Sequence, residues 1–495
     1  MNAGRRMNAK CGAFFTREGT LVEKIFKLAQ NGTSVRTEII AGLTTFMTMA
    51  YIIALNPNLL TGWRAGGDEL WNAVFLATCL ASGIAMVCMA FLANKPFCLA
   101  PGMGLNSFLA VVVTQIATIT GATYVASFQA ALLIVLAEGV VFLILTIFNV
   151  REKIIDAIPY GVRMGIAPAI GLMLLNIGLG SNASVFDIEG NPFYVMRDFF
   201  GSLTASSAAS TMSDAYPNMV LTVVTMFVGL FVIVFLAQRA VKGSVIIGML
   251  VASVIYWAGE AIFLGINPFE SLATASWVPA FSDMVNLTLF KFNVEGFLEL
   301  GWFTAITLIV TFCMIDMFDT IGTLVGTAAR ADMLDEEGRM PQMKEALLSD
   351  SIGTLVGACT GTSTVTTFVE SASGVEAGGR TGLTALTCGI MFLLCMFIGP
   401  IAAIIPSAAT SSALIYVGVV MLAGLKNIDL NAYDQIVPVA LMLIAMPISG
   451  SIGHAIGIGL IAFSVIDITS GKVSKKYLLT YILALIFVVK FFLVA

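Results

Sequence analysis

One histidine, His454, serves a chain of 495 residues, and charged side chains make up only 11% of it. A soluble domain needs more charge than that on its surface. The 25 Lys and Arg gather on no single face and no aromatic array lies among them, so nucleic-acid binding is excluded. The eight cysteines show neither CxxC nor Cys/His spacing. Cys79, Cys88, Cys313, Cys388 and Cys395 lie in apolar runs and read as small core residues, so neither a disulfide framework nor a metal site is expected. Nucleophile-elbow, phosphate-loop and metalloprotease spacings are all missing. The chain reads as a protein without catalysis, cofactor or metal.

What is present in quantity is apolar: 58% of the residues are hydrophobic, and the mean hydropathy is +0.95. This marks an all-α polytopic membrane protein. Apolar stretches of spanning character recur at 35–57, 72–94, 98–119, 125–149, 159–180, 219–238 and 244–265. Seven more follow at 300–327, 347–360, 364–378, 382–405, 411–425, 435–448 and 451–469, with a C-terminal extra at 476–494. No secretory signal precedes the first. Residues 18–30, with Leu21, Val22, Ile25, Phe26 and Leu28 opposite Lys24 and Lys27, form either an interfacial helix or a packed cytoplasmic one.

Basic residues before the first span (Arg5, Arg6, Lys10, Arg17, Lys24, Lys27, Arg36) put the N-terminus in the cytoplasm. Counting onward leaves Lys95, Arg151, Lys153, Arg239, Lys242, Arg330, Arg339, Lys344, Arg380, Lys472, Lys475 and Lys476 on that same side. Loops 181–218 and 266–299 fall outside. Asn182 would accept a glycan only on a eukaryotic secretory route.

The halves echo one another. Ile158-Pro159 and the run after it match Ile405-Pro406 and its run, aligning Gly171 with Gly418 and Leu175 with Leu422. Residues 247–255 match 458–466 in the same way. With seven spans per half the second copy enters from the opposite side, which predicts a 7+7 inverted repeat of fourteen spans.

Spans three and ten are interrupted. Residues 360–384, TGTSTVTTFVESASGVEAGGRTGLT, carry Thr, Ser and Gly where lipid-facing helix is expected. The alternation over 363–369 predicts a short β segment, and Glu370 opens a half-helix behind it. Such backbone survives at membrane depth only inside protein or beside a polar cavity. In span three, CLAPGMGLNSF places Pro101 before a helix start, with Asn106 either lining a site or bonding a neighbouring helix. Glycines 374–382, with Glu376 and Arg380, end the half-helix at the cytoplasmic face.

Carboxylates inside spans are costly and mark function. Asp316 and Asp319 lie three apart on one helix face, and two ionised carboxylates at that spacing repel in low dielectric, which makes them candidates for proton coupling. Glu370 gains from a half-helix N-terminus and joins them as a proton-coupling candidate. Glu138 either faces the site or makes a paired helix–helix contact. His454, without a partner at bonding spacing, reads as structural, and Arg163 as snorkelling.

At these residues the chain resembles the nucleobase–cation symporter-2 family, in its AzgA-like adenine/guanine/hypoxanthine permease branch. The motifs are TEIIAGLTTFMTMAYIIALNP, APGMGLNSF, DMFDTIGTL and GTSTVTTFVESASGVEAGGRTGLTA, in order along nearly the whole chain. The resemblance implies a core of spans 1–4 and 8–11 (35–149, 300–405) and a gate of spans 5–7 and 12–14 (150–299, 406–469). A cytoplasmic segment (1–34) precedes them and a C-terminal hydrophobic extension (470–495) follows. It further implies a proton symporter of purine nucleobases in the plasma (inner) membrane, often a homodimer. By motif Asp319, Glu370 and Asn106 take the substrate-site positions. Thr323 stands where related uracil and xanthine carriers often have a histidine.

The residues agree with that expectation. A flat neutral ring needs donors and acceptors, from Asp319, Glu370, Asn106 and backbone N–H groups near Phe368 and Val369. It also needs an apolar slot, from Met103, Phe108 and Phe368. Alternatives are a uracil or xanthine carrier, or an anion carrier or channel on the same architecture. Half-helix N-termini suit anions, but Glu370 repels them. A receptor or scaffold needs no broken helices at the midplane.

Overall fold

The computed structural model describes residues 21–62, 66–148, 157–180, 216–330, 333–335, 340–449 and 451–493. The orientation residues Arg5, Arg6, Lys10, Arg17, Arg151, Lys153 and Arg339, and also Asn182, lie outside them.

A short α1 (Leu21–Phe26) is stopped by Lys27 in left-handed backbone, φ 53°. Of the segment read as interfacial, Leu21 is exposed while Phe26 and Leu28 are buried, and Phe26 packs on Phe91. The first repeat then runs α2 (Val35–Met49), α3 (Ile52–Leu60), α4 (Glu69–Cys88), β1 (Leu99–Pro101), α5 (Met103–Thr120) and α6 (Tyr124–Ile147). It closes with α7 (Tyr160–Leu179), α8 (Tyr216–Gln238) and α9 (Ser244–Gly259). Three short helical turns follow between 270 and 299. The second repeat runs α10 (Trp302–Arg330), α11 (Met343–Thr360), β2 (Val365–Thr367), α12 (Ser371–Glu376) and α13 (Gly382–Cys395). It ends with α14 (Ser407–Met421), α15 (Tyr433–Ser449) and α16 (Ile452–Thr469), and α17 (Leu478–Leu493) closes the chain.

The boundaries follow from side chains. Ser34 caps α2 by accepting from the Thr37 N–H, and Thr123 caps α6 by accepting from the Ala126 N–H. Gly121 ends α5 at φ 66°, and Gly361 ends α11 at φ 114°. The first span, expected as one run, turns at Ala50 and Tyr51, so that α2 and α3 are two pieces of it.

Eleven helical stretches among the described residues are long and apolar enough to cross a membrane. This is a multi-pass membrane protein. The remaining expected spans are shorter, interrupted or more charged. α15 is apolar over 17 residues, α11 carries Lys344, Glu345 and Asp350, and the tenth span is β2 followed by the six-residue α12. Eleven of the fourteen expected spans are thus helices of spanning length and polarity, and these three segments are not.

Inverted symmetry is visible in paired details. Pro159 and Pro406 stand at the N-caps of the equivalent helices α7 and α14. Gly171 and Gly418, matched in the two halves, face one another. A Cβ on either would lie 2.6 Å from the other's carbonyl oxygen. Only glycine permits that approach. The two strands also meet each other, antiparallel, with Ala100 opposite Thr366. Around them α11 rests on α4 and α6, and α13 and α12 rest on α2. On the other side α7 packs with α14 and α15, and α8 with α9 and α14. Trp71, Phe97, Phe128, Phe312 and Phe392 fill the interior.

Candidate substrate site at the crossing of the interrupted spans

β1 and β2 lie side by side because each supplies what the other's backbone lacks. Beyond the strand register, Gly102 N–H donates to the Thr364 carbonyl and Phe368 N–H to the Cys98 carbonyl, each at 3.0 Å. Cys98 N–H donates to Ser371 Oγ at 2.9 Å, tying the start of α12 to the other span. Asn106, wholly buried, donates to the Pro101 carbonyl at 3.2 Å and accepts from Ser363 Oγ. Its amide braces the crossing, one of the two roles its sequence position allowed.

The acidic side chains gather at this crossing. Glu370 stands at the N-cap of α12 and is partly exposed. Asp319, from α10, lies within electrostatic range of Glu370 and Asp316 and beside the hydroxyl of Thr366. The Thr367 hydroxyl is buried without a hydrogen-bond partner. Met103 opens α5, and Phe368 follows β2. Both are about 6% exposed. Thr323 sits one turn beyond Asp319. Phe108 is turned onto Phe312, with ring centroids 4.7 Å apart. Asp319, Glu370, Met103, Phe368 and Thr323 are thus carried on elements that meet at one place: α10, α12, the start of α5 and β2.

Asp316 points elsewhere. It is fully buried behind the strands, where the Thr320 hydroxyl lies 3.0 Å from its Oδ1 and 3.1 Å from Asp350 Oδ1. Glu138 lies in the same interior, accepts from Thr364 Oγ1 at 2.7 Å, and is within electrostatic range of Asp316 and Asp350. Three carboxyl groups from α6, α10 and α11 therefore share the space behind the site. Asp350 escaped the sequence reading, although a carboxylate between Ser349 and Ser351 inside an apolar run was a signal for it.

Two more residues were missed. Tyr51 donates its hydroxyl to Glu370 Oε1 at 2.9 Å. Glu38, fully buried, accepts from the N–H groups of Arg380, Thr381 and Thr384 and from Thr384 Oγ1, at 2.6 to 3.3 Å. An aromatic or a first-turn Glu in an apolar span gives no sign by itself. From the other side, Tyr416 of α14 comes within electrostatic range of Glu370. Arg380 donates Nη1 to the carbonyls of Val375 and Gly379, closing the glycine-rich turn after α12. His454 packs edge-on against Phe491 of α17.

Comparison with known proteins gives consistent matches. The chain is 36% identical over 470 residues to the adenine permease AdeP of Escherichia coli, covering 95% of this chain and 96% of that protein. It is 35% identical over 478 residues to the guanine/hypoxanthine permease PbuO of Bacillus subtilis, covering 95% and 100%. Among solved structures, the transmembrane domain of the cyanobacterial bicarbonate transporter BicA shares the fold. Its TM-score is 0.56 at 16% identity, over 86% of this chain and 97% of that one. The model of the permease family (Xan_ur_permease) matches residues 36–460. The chain belongs to this permease family, the nucleobase–cation symporter-2 family, and is a transporter rather than an enzyme.

Proposed function

We propose that this chain imports purine nucleobases (adenine, guanine, hypoxanthine) across the plasma membrane by proton symport, with its N-terminus in the cytoplasm. One observation carries the reading. Asp319 and Glu370 come within electrostatic range of each other beside two strands that would be untenable in lipid. Carboxylates there offer a purine hydrogen-bond acceptors when ionised and donors when protonated. Thr366, Thr323, Met103 and Phe368 supply the hydroxyls and the apolar slot, and Asn106 acts by holding the crossing in shape. Asp316 stands behind Asp319 on the same helix as a further proton-coupling group.

In this mechanism a proton and a purine load together. The core (35–149, 300–405) then moves against the gate (150–299, 406–469), and the protein works as a homodimer. The relatives named for adenine and for guanine/hypoxanthine favour purines over an anion, and so does a carboxylate at the half-helix mouth.

Uptake of radiolabelled hypoxanthine into cells tests this, with adenine, guanine, xanthine and uracil as competitors and a protonophore as control. Glu370→Gln and Asp319→Asn should each abolish uphill uptake while the protein still reaches the membrane. Full uptake in both variants overturns the mechanism.

A further inference from the structure

Tyr51 sits where the first span turns from α2 into α3, with 1% of its surface exposed. It closes a stripe along α2 that faces the tenth span. Glu38 holds backbone N–H groups at positions 380–384. Ala41 and Thr45 meet Gly374, and Thr48 Oγ1 lies 3.0 Å from Ser373 Oγ. The spacing from 38 through 41, 45 and 48 to 51 is one helical face. Its last member reaches the carboxylate of Glu370 through the phenol, 2.9 Å from Oε1. Among the described residues this is the one side-chain hydrogen bond that the Glu370 carboxylate makes.

A phenol both donates and accepts. The same hydroxyl therefore serves an ionised Glu370 as donor and a protonated one as acceptor, without moving either backbone. We propose that Tyr51 is a positioning residue. By holding Oε1 it fixes the orientation of the Glu370 carboxyl and so sets the affinity for the nucleobase. Buried as it is, it acts through Glu370 and does not touch the ring. The inference rests on the reading that Glu370 binds a purine.

The experiment uses the full-length chain, purified for hypoxanthine, adenine and guanine binding and reconstituted for uptake. Tyr51→Phe keeps the ring and removes the hydroxyl. It should raise Kd and KM about tenfold or more, the scale of one hydrogen bond to a charged group, while maximal uptake stays within about twofold. Fluorotyrosine at position 51 keeps the hydroxyl, exchanges ring hydrogens for fluorine and makes the O–H more acidic, so it serves where Tyr51→Phe does not fold. Affinity should then change once the pH passes the fluorophenol's ionisation. Wild-type affinity in Tyr51→Phe, loss confined to maximal uptake, or an unresponsive fluorotyrosine chain overturns this inference alone. A wild-type chain that binds none of the three purines overturns the functional reading and this inference with it.

Discussion

Replacing Glu38 should loosen the joint between the first span and the start of α13. Its carboxylate accepts from Arg380 N–H at 2.8 Å, Thr381 N–H at 3.3 Å, Thr384 N–H at 3.2 Å and Thr384 Oγ1 at 2.6 Å, in a fully buried place. Three of these donors belong to backbone at or just before the N-terminus of α13, where the helix dipole also favours a negative group. Glu38→Ala leaves the Arg380 and Thr381 N–H groups without an acceptor, while Thr384 keeps the Thr381 carbonyl for its N–H and the carbonyl of residue 38 for its hydroxyl. At about 1–3 kcal/mol for each buried group, partly relieved by relaxation, the loss is on the order of 4 kcal/mol.

Glu38→Gln keeps one acceptor oxygen, loses the charge, and turns an NH2 onto a donor. About half that loss is expected. For a unit of 150–250 residues about 2–4 °C accompanies each kcal/mol, so Tm should fall by about 10 °C for Ala and about 5 °C for Gln. The assay is loss of the monodisperse gel-filtration peak after stepwise heating of detergent-purified protein. The exposed Glu270→Ala serves as control. A Tm for Glu38→Gln within about 1 °C of wild type, or an effect as small as that of Glu270→Ala, refutes the assignment of these bonds as a structural joint.

Other substitutions probe separate parts of the fold. Gly171→Ala and Gly418→Ala each set a Cβ 2.6 Å from the opposite carbonyl, so both should lower Tm by about 1–3 kcal/mol equivalent, and the double variant by less than the sum. Tolerance at one position and not the other would contradict the symmetric approach. Thr364→Val removes the hydroxyl donor to Glu138 and should cost about 1–3 kcal/mol, read as a Tm shift, with the partner variant Glu138→Gln milder. Single cysteines at positions 24 and 278 in a cysteine-free background should react with an impermeant maleimide from opposite sides. Labelling of both from one side would reverse the orientation.

The sequence showed the interrupted spans because Thr, Ser and Gly at 360–384 stand out against apolar neighbours, and Asp319 and Glu370 stand out for the same reason. It also showed the repeat, through residues whose roles are steric: Gly171 and Gly418 must both be small because each backbone sits against the other. Pairings across distant spans were not legible. Tyr51 looks like any aromatic in an apolar helix until Glu370, 319 positions later, is seen at its hydroxyl. Asn106 carried a polar side chain with two meanings, and its bond with Ser363 is visible only once the two spans are brought together. Asp350 stood out as a carboxylate in an apolar run, but its place beside Thr320 depends on how α10 and α11 cross.

Three paired residues on each strand look too few to matter, yet in a bilayer they are hard to undo. Sliding β1 away from β2 would strip backbone groups of partners where no water can replace them, at several kcal/mol apiece. The floor beneath Asp319 and Glu370 is therefore a single plate to which both halves of the chain are riveted. Any motion that leaves these backbone bonds intact carries the two strands together as one piece.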